Sequence, residues 1–330
     1  MQELLRLQPY KKGLIIHHWD TDGLCSAALL AAFFEKNLAQ IKLDFLTPAI
    51  NNYFLLTVEK QNIEKENYDF IITCDINFMA AEIKHLSLIC PTRLFIFDHH
   101  QQAPLQEIFY YNKPYPGCSL VINEYLQQKL NLLSSLGAIG DKEEKIKKDQ
   151  NFWSAIEKVL AKNNISLSEA LHIRNLIDSC YMTNDYCGIK ETIEILQHDP
   201  LIILADVNLK NNLIKINIAM AEIEALSPAE KIKEKIFLYH IKSSYNILSH
   251  STRVLSRNNP NNIIVSWQRQ KDQISIYIRK GDLNVDLSPL ITWARSKGCS
   301  AGGKEEVVGI IYRGEFENIK EELIKEINKL

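Results

Sequence analysis

The sequence predicts an α/β fold in which a parallel sheet with flanking helices is followed by a smaller α+β domain. Three observations lead there. Short apolar runs alternate with helical stretches through the first hundred residues, the spacing of a parallel sheet covered on both faces. From about 118 to 230 the pattern is mainly helical. Beyond about 235, β-type runs return around turns.

Taken in order, GLIIHH is a short apolar run bounded by Gly13 and an acidic turn, and reads as a buried strand. GLCSAALLAAFFEK follows as a helix, with its N-terminus at the Asp22–Gly23 turn. KLDFLTPA is a second strand. YDFIITCDI and TRLFIFDHH are two more, each ending in acidic or imidazole residues. CSLVINEYLQQKLNLLSSLGAIGD reads as one helical segment closed by a Gly-rich turn at Asp141. DVNLKNNLIKINIAMAEIEAL reads as a long connecting helix. NNIIVSWQRQKDQISIYIRKGDLNVDLS has the texture of a hairpin, SPLITWARSKG of a helix, and CSAGGKEEVVGIIYRGE of a glycine turn before an apolar stretch. These assignments divide the chain into 1–204, a helical linker 205–234, and 235–330.

Composition narrows the function classes. The chain has 330 residues, is 46% hydrophobic and carries a net charge of −2, so it lacks the basic excess of a protein that coats long duplex DNA. The alternating-sign runs KIKEKIF and DKEEKIKKDQ read as solvated helix faces. Runs such as LIILA are too short to span a bilayer, and the first residues lack the apolar core of a signal peptide, so a cytoplasmic protein with no membrane partner is expected. The seven cysteines form no CxxC pair, which argues against a disulfide framework or a zinc ribbon.

Four separate segments supply oxygen or imidazole ligands: His18-x-Asp20-x-Asp22, Asp75, Asp98-His99-His100 and Asp141. In an open parallel sheet ligands gather beyond the carboxyl ends of the strands, where most of these residues are expected. A single Asp there is an ordinary turn or cap residue. Five carboxylates brought together repel strongly and call for a divalent cation. Mixed carboxylate and imidazole donors without thiolate suit Mn²⁺ or Mg²⁺, with Zn²⁺ or Co²⁺ as further candidates. His17, on the alternate side of the strand from His18, is expected to be structural.

The motifs HWDTDG, TCDIN, FDHH and GAIGD resemble the successive motifs of the DHH phosphoesterase superfamily, and the H-x-D-x-D-G spacing is similar to its RecJ-like, archaeal-type exonuclease branch. AGGKEEVVG and the preceding ISIYIRKGDLNVDLSPL resemble the glycine-rich motif and strand of the accessory DHHA1 domain. The resemblance implies a DHH catalytic domain, a DHHA1 substrate-binding domain and an active site in the cleft between them. It implies two divalent metal ions, Mn²⁺ first, with Mg²⁺ or Co²⁺ as alternatives. His18, Asp20 and Asp75 would hold one. Asp22, Asp75, His99 and Asp141 would hold the other, so Asp75 would bridge. His100 would help to hold the phosphate, and Asp98 would orient the histidines. Catalysis would then rest on Asp20, Asp22, Asp75, Asp98, His99 and His100.

On the substrate side the resemblance implies His100, Arg279, Gly302, Gly303 and Lys304. Lys304 stands where the family has histidine; it keeps a positive charge but not the flat ring. Trp267, Trp293, Tyr277 and Phe97 are candidates for base stacking, although aromatics at strand positions are expected to be core. The implied activity is hydrolysis of single-stranded DNA or RNA by a water activated between two metals. The alternative is a small-substrate phosphodiesterase acting on short oligonucleotides or cyclic dinucleotides. A third reading is a replication or repair scaffold with a protein partner; relatives of that kind have typically lost ligands, whereas all six ligand positions are filled here.

Overall fold

The structure is a computed structural model that describes residues 1–52, 54–90, 93–100, 108–270 and 273–330. Thr92, at the start of the fourth expected strand, and Lys271–Asp272, inside the expected hairpin, lie outside the described residues. The chain divides into two units, Met1–Leu213 and Ile214–Leu330.

The first unit is built on five parallel strands: β1 (Lys12–His17), β2 (Lys42–Leu46), β3 (Phe70–Cys74), β4 (Leu94–Asp98) and β5 (Phe109–Asn112). Their order is β2-β1-β3-β4-β5. Strands β3 and β4 are buried along their whole length, which is why they read as unbroken apolar runs rather than alternating ones. Ile15, Phe70, Ile72 and Phe97 face the helix Thr21–Asn37, whose Phe34 ring stacks on Phe70 at 5.6 Å. Burying one such ring stabilises the fold by roughly 1.5–3 kcal/mol. Gly13 makes room for it, since a Cβ there would lie 2.1 Å from the Phe70 ring. Ile16, Ile71 and Ile96 face the opposite way, against Ile63 and Ile83 of the helices Thr57–Lys65 and Ala80–Ile89. Helices thus cover both faces of a parallel sheet, as the alternating pattern requires.

The segment from Cys118 to Asp141 is two helices, Cys118–Tyr125 and Leu132–Lys142, and not one. Gln127 takes a left-handed backbone (φ 55°), and Asn131 caps the second helix by accepting the Ser134 N–H at 3.0 Å. The Gly-rich stretch at 137–141 is helical rather than a turn, and Asp141 sits in its last turn. The helices Gln150–Lys162, Leu167–Met182 and Tyr186–His198 complete this unit, and the helix Val207–Glu224 contains the boundary.

The second unit carries six strands: β6 (Glu230–Ile232), β7 (Ile236–His240), β8 (Ile263–Gln270), β9 (Gln273–Lys280), β10 (Ser300–Lys304) and β11 (Val307–Tyr312). Their order is β10-β11-β9-β8-β7-β6; β7 and β8 pair in parallel and the other described pairs are antiparallel. Leu238, Val265, Ile276 and Ile310 meet Phe316, Leu323 and Ile327 of the helix Phe316–Ile327 in its core. Two expectations are corrected here. KIKEKIF is a β-hairpin and not a helix face, because Lys233 and Glu234 both adopt positive φ (48° and 54°) in a tight three-residue loop between Ile232 and Ile236. SAGGK is strand β10 rather than a glycine turn, with Gly302 opposite Gly309.

Candidate metal centre

Parallel strands place all their carboxyl ends on one edge of the sheet. Strand β1 leads into His18, β3 into Asp75, and β4 ends on Asp98 before His99 and His100. The chain runs from β1 to β2 on one side and returns to β3 on the other, so the gap beyond β1 and β3 is the switch point at which such sheets bind ligands. Asp75 adopts a left-handed backbone (φ 61°), a conformation that Asp tolerates better than most residues, while its N–H donates to the Phe97 carbonyl at 3.1 Å.

The loop after β1 is held by small contacts. Asp20 caps the helix Thr21–Asn37 by accepting the Gly23 N–H at 3.1 Å, so the helix starts just before the expected Asp22–Gly23 turn. A Cβ on Gly23 would lie 2.4 Å from the His18 carbonyl, which is why glycine closes the motif. Asp22 is buried, and its two oxygens accept the N–H groups of Cys118 (2.5 Å) and Ser119 (3.1 Å) at the start of the helix Cys118–Tyr125. Gly137 opens the space beside it, since a Cβ there would lie 2.4 Å from Asp22 Oδ1. Gly140 does the same for Thr21 at 2.9 Å.

The expected ligands converge. His18 Nδ1 lies 2.9 Å from Asp20 Oδ2 and 3.9 Å from Asp75 Oδ2. His99 Nε2 lies 3.3 Å from Asp75 Oδ1 and 3.3 Å from Asp141 Oδ2. Donor atoms of His18, Asp20 and Asp75 fall within 4.8 Å of one another, as do those of Asp22, His99 and Asp141. Asp75 therefore offers one oxygen to each side. Asp98 is fully buried, and its Oδ1 accepts the backbone N–H groups of His99 (2.7 Å) and His100 (3.1 Å) and the His100 ring at 2.7 Å.

The electrostatics of the cluster are unbalanced. Burial pushes the Asp75 carboxyl well above the usual range, and Asp22, Asp20 and Asp141 push it further. Asp141 is raised to about 6, by burial and then by Asp22 and Asp20. Asp20 goes the other way: burial opposes it, but His18 holds it below its ordinary value. His99 supplies the test of fit. Its Nδ1 meets the Tyr115 carbonyl at 3.1 Å, and a carbonyl only accepts, so Nδ1 carries the proton. In the neutral ring the Nε2 lone pair then points at two carboxylate oxygens. Neither His99 Nε2 nor Asp75 Oδ1 has a hydrogen-bond partner among the described residues. A hard divalent cation is what such a donor set fits.

Elsewhere the expected residues divide. His17 is buried with its Nδ1 2.8 Å from the His18 carbonyl and its Nε2 3.3 Å from Thr47 Oγ1, outside the donor set. Phe97 is core, packed on Tyr125 at 4.9 Å. Trp267 is stacked between Phe316 (4.8 Å) and His240 (3.6 Å). In the second unit Val307 pairs with both Lys304 and Arg279, so those two cations share one face, two strand spacings or about 10 Å apart. Gly303 has a φ of 145° and lies so close to Val307 that a Cβ would meet its carbonyl at 2.1 Å. One buried layer escaped the sequence reading: Arg174 and Asp178, on the helix Leu167–Met182, lie directly behind Thr21. Nothing in their helical spacing singles them out.

Residues 12–150 match the model of the DHH family, N-terminal domain. A direct comparison of the sequence with curated proteins gives no match. Among solved structures, RecJ from Thermus thermophilus in complex with Mn²⁺ superposes with a TM-score of 0.70 at 14% identity, over 99% of this chain and 54% of that one. This chain thus spans about half the length of that relative. An exonuclease RecJ bound to manganese gives 0.66 at 16% identity, over 99% and 93%. CDC45 from Entamoeba histolytica gives 0.55 at 12%, over 98% of each chain. At these identities the likeness is one of fold.

Proposed function

Residues 12–150 being a DHH-family N-terminal domain, we propose that this protein is a metal-dependent phosphodiesterase, and specifically a RecJ-like exonuclease acting on single-stranded DNA or RNA. The observation that carries the reading is the His99 ring, locked by Tyr115 with its bare nitrogen facing Asp75 and Asp141.

Two divalent ions are assigned, with Mn²⁺ preferred over Mg²⁺ or Co²⁺. His18, Asp20 and Asp75 would hold one, and Asp22, Asp75, His99 and Asp141 would hold the other. When bound, such ions supply Lewis acidity and a water that is nucleophilic near neutral pH. The chain's own residues do the rest. Asp98 fixes the Nδ1 proton of His100, so the opposite ring nitrogen is presented to a phosphate oxygen. Asp22, anchored by two backbone N–H groups, cannot swing away as charge builds. Arg279 and Lys304, with the open backbone at Gly302 and the close turn at Gly303, bind the substrate strand through its phosphates. Among the described residues no helix is long and apolar enough to cross a membrane; a cytoplasmic location is part of the same proposal.

The test is to incubate the purified chain with Mn²⁺, and separately with EDTA, on a 5′-labelled 20-mer and on a dinucleotide. A metal-dependent ladder on the 20-mer is expected, and its pattern gives the direction of attack. Cleavage of the dinucleotide alone moves the reading to small-substrate turnover. Silence on both, with Mn²⁺ bound, overturns the hydrolase and leaves a replication or repair scaffold.

A further inference from the structure

The two ligand-bearing segments at Asp20–Asp22 and Asp141 share a buried brace. Thr21 stands between the two aspartates and is buried. Its N–H, the first orphan donor of the helix Thr21–Asn37, finds Asp178 Oδ1 at 2.9 Å, and its hydroxyl donates to the same oxygen at 2.7 Å. The hydroxyl also lies 3.3 Å from the Arg174 carbonyl. The other Asp178 oxygen lies 2.8 Å from Arg174 Nε. Arg174 then reaches Glu143 Oε1 with Nη2 at 3.4 Å, two residues beyond Asp141. Arg174 and Asp178 are both buried, and burial raises the Asp178 carboxyl against the pull of Arg174. Two buried ionised groups are costly unless their geometry is used.

We propose that Thr21, Asp178 and Arg174 are positioning residues that aim the Asp20, Asp22 and Asp141 carboxylates at the metal ions; this rests on the metal-centre reading above. A guanidinium is suited to the task because one planar group presents donors in two directions at once. Asp178 pins the residue between the two aspartates, of which Asp20 joins His18 and Asp75 and Asp22 joins His99 and Asp141. Glu143, on the same guanidinium, ties the end of the Asp141 helix to that point. Gly140, three residues before Glu143, packs against Thr21, where a Cβ would lie 2.9 Å from it.

The measurement is Mn²⁺ affinity by titration calorimetry, beside the melting temperature of the metal-free protein, for the unchanged chain, Thr21→Val, Thr21→Ser and Arg174→Lys. Thr21→Val keeps the shape and loses the hydroxyl; about tenfold or more weaker Mn²⁺ binding is expected. Thr21→Ser is expected to restore the affinity. Arg174→Lys keeps a positive charge but not the two-directional reach, and is expected to lose affinity as Thr21→Val does. It decides the question if Thr21→Val does not fold. Affinities equal to that of the unchanged chain, with only the melting temperature lowered, overturn the proposal and make the layer structural. Absence of Mn²⁺ binding by the unchanged chain overturns the metal-centre reading itself, and this inference with it.

Discussion

Gly137→Ala is the most informative perturbation of the candidate centre. The residue is helical, so alanine fits the backbone and gains about 1 kcal/mol in helix propensity. Its methyl group, however, would lie 2.4 Å from Asp22 Oδ1 and 2.2 Å from Ser119 Oγ. Ordinary contact needs about 3.4 Å, so the Asp22 carboxylate must retreat by roughly 1 Å. It cannot retreat freely, because the N–H groups of Cys118 and Ser119 hold both of its oxygens. Overpacking of this kind costs about 1–3 kcal/mol, which the propensity gain partly offsets, so the fold should survive. A 1 Å misplacement of a reacting group costs about 100-fold in rate. The expected result is a Mn²⁺-dependent rate on the labelled 20-mer about 100-fold down, with a melting temperature only slightly lowered. A full rate at an unchanged melting temperature would refute the placement of Asp22. A rate lost only in proportion to unfolded protein would make Gly137 a packing residue and nothing more.

Asp75→Ala removes the carboxylate offered to both sides of the cluster and should abolish hydrolysis in the same assay; retained activity sinks the shared-ligand assignment. Lys304→Ala should raise KM without weakening Mn²⁺ binding, and an unchanged KM would return β10 to a purely structural role. Proton competition gives the third. Asp141, raised to about 6, binds a proton that the unfolded chain would release, so metal-free stability from this group is present at acid pH and falls as pH rises from about 4 through 6. Mn²⁺ relieves that cost, so its stabilising effect on the melting temperature should be larger at pH 8 than at pH 5. The same proton weakens apparent Mn²⁺ affinity by about tenfold one unit below the Asp141 pKa. Equal stabilisation at both pH values would refute this.

The clustering of these donor residues was legible in the sequence because most of them follow an apolar run, and parallel strands bring such positions to one edge. Asp20, Asp22, Asp75 and His99 converge for that reason, and Asp141 joins them from the last turn of a helix. What could not be read is whatever depends on distance through space rather than along the chain. Arg174 and Asp178 lie far along the chain from Thr21, inside an ordinary amphipathic pattern. The glycines of the GAIGD motif suggested a turn, because from sequence alone glycine signals backbone freedom; here they are helical and serve as absent side chains. Local backbone signs were also hidden. The positive φ of Gln127 splits a helical pattern that shows no break, and those of Lys233 and Glu234 fold a charged run into a hairpin. Charge alternation is shared by a solvated helix and an edge hairpin, so it could not separate them.

Because the sheet is parallel, its working edge draws on residues from His18 to Asp141, with a brace that extends to Asp178. Most of these meetings are long-range and have to be made after an intervening crossover, the kind of contact that is slow to form in folding. A chain released before Asp141 has β1 through β5 but lacks the Asp141 carboxylate on one side of the cluster. On the metal-centre reading, the protein is therefore born inert. During synthesis the donor cluster stays incomplete until the helix that carries Asp141 has been made and docked. On the proposed nuclease reading, activity would then report completed folding.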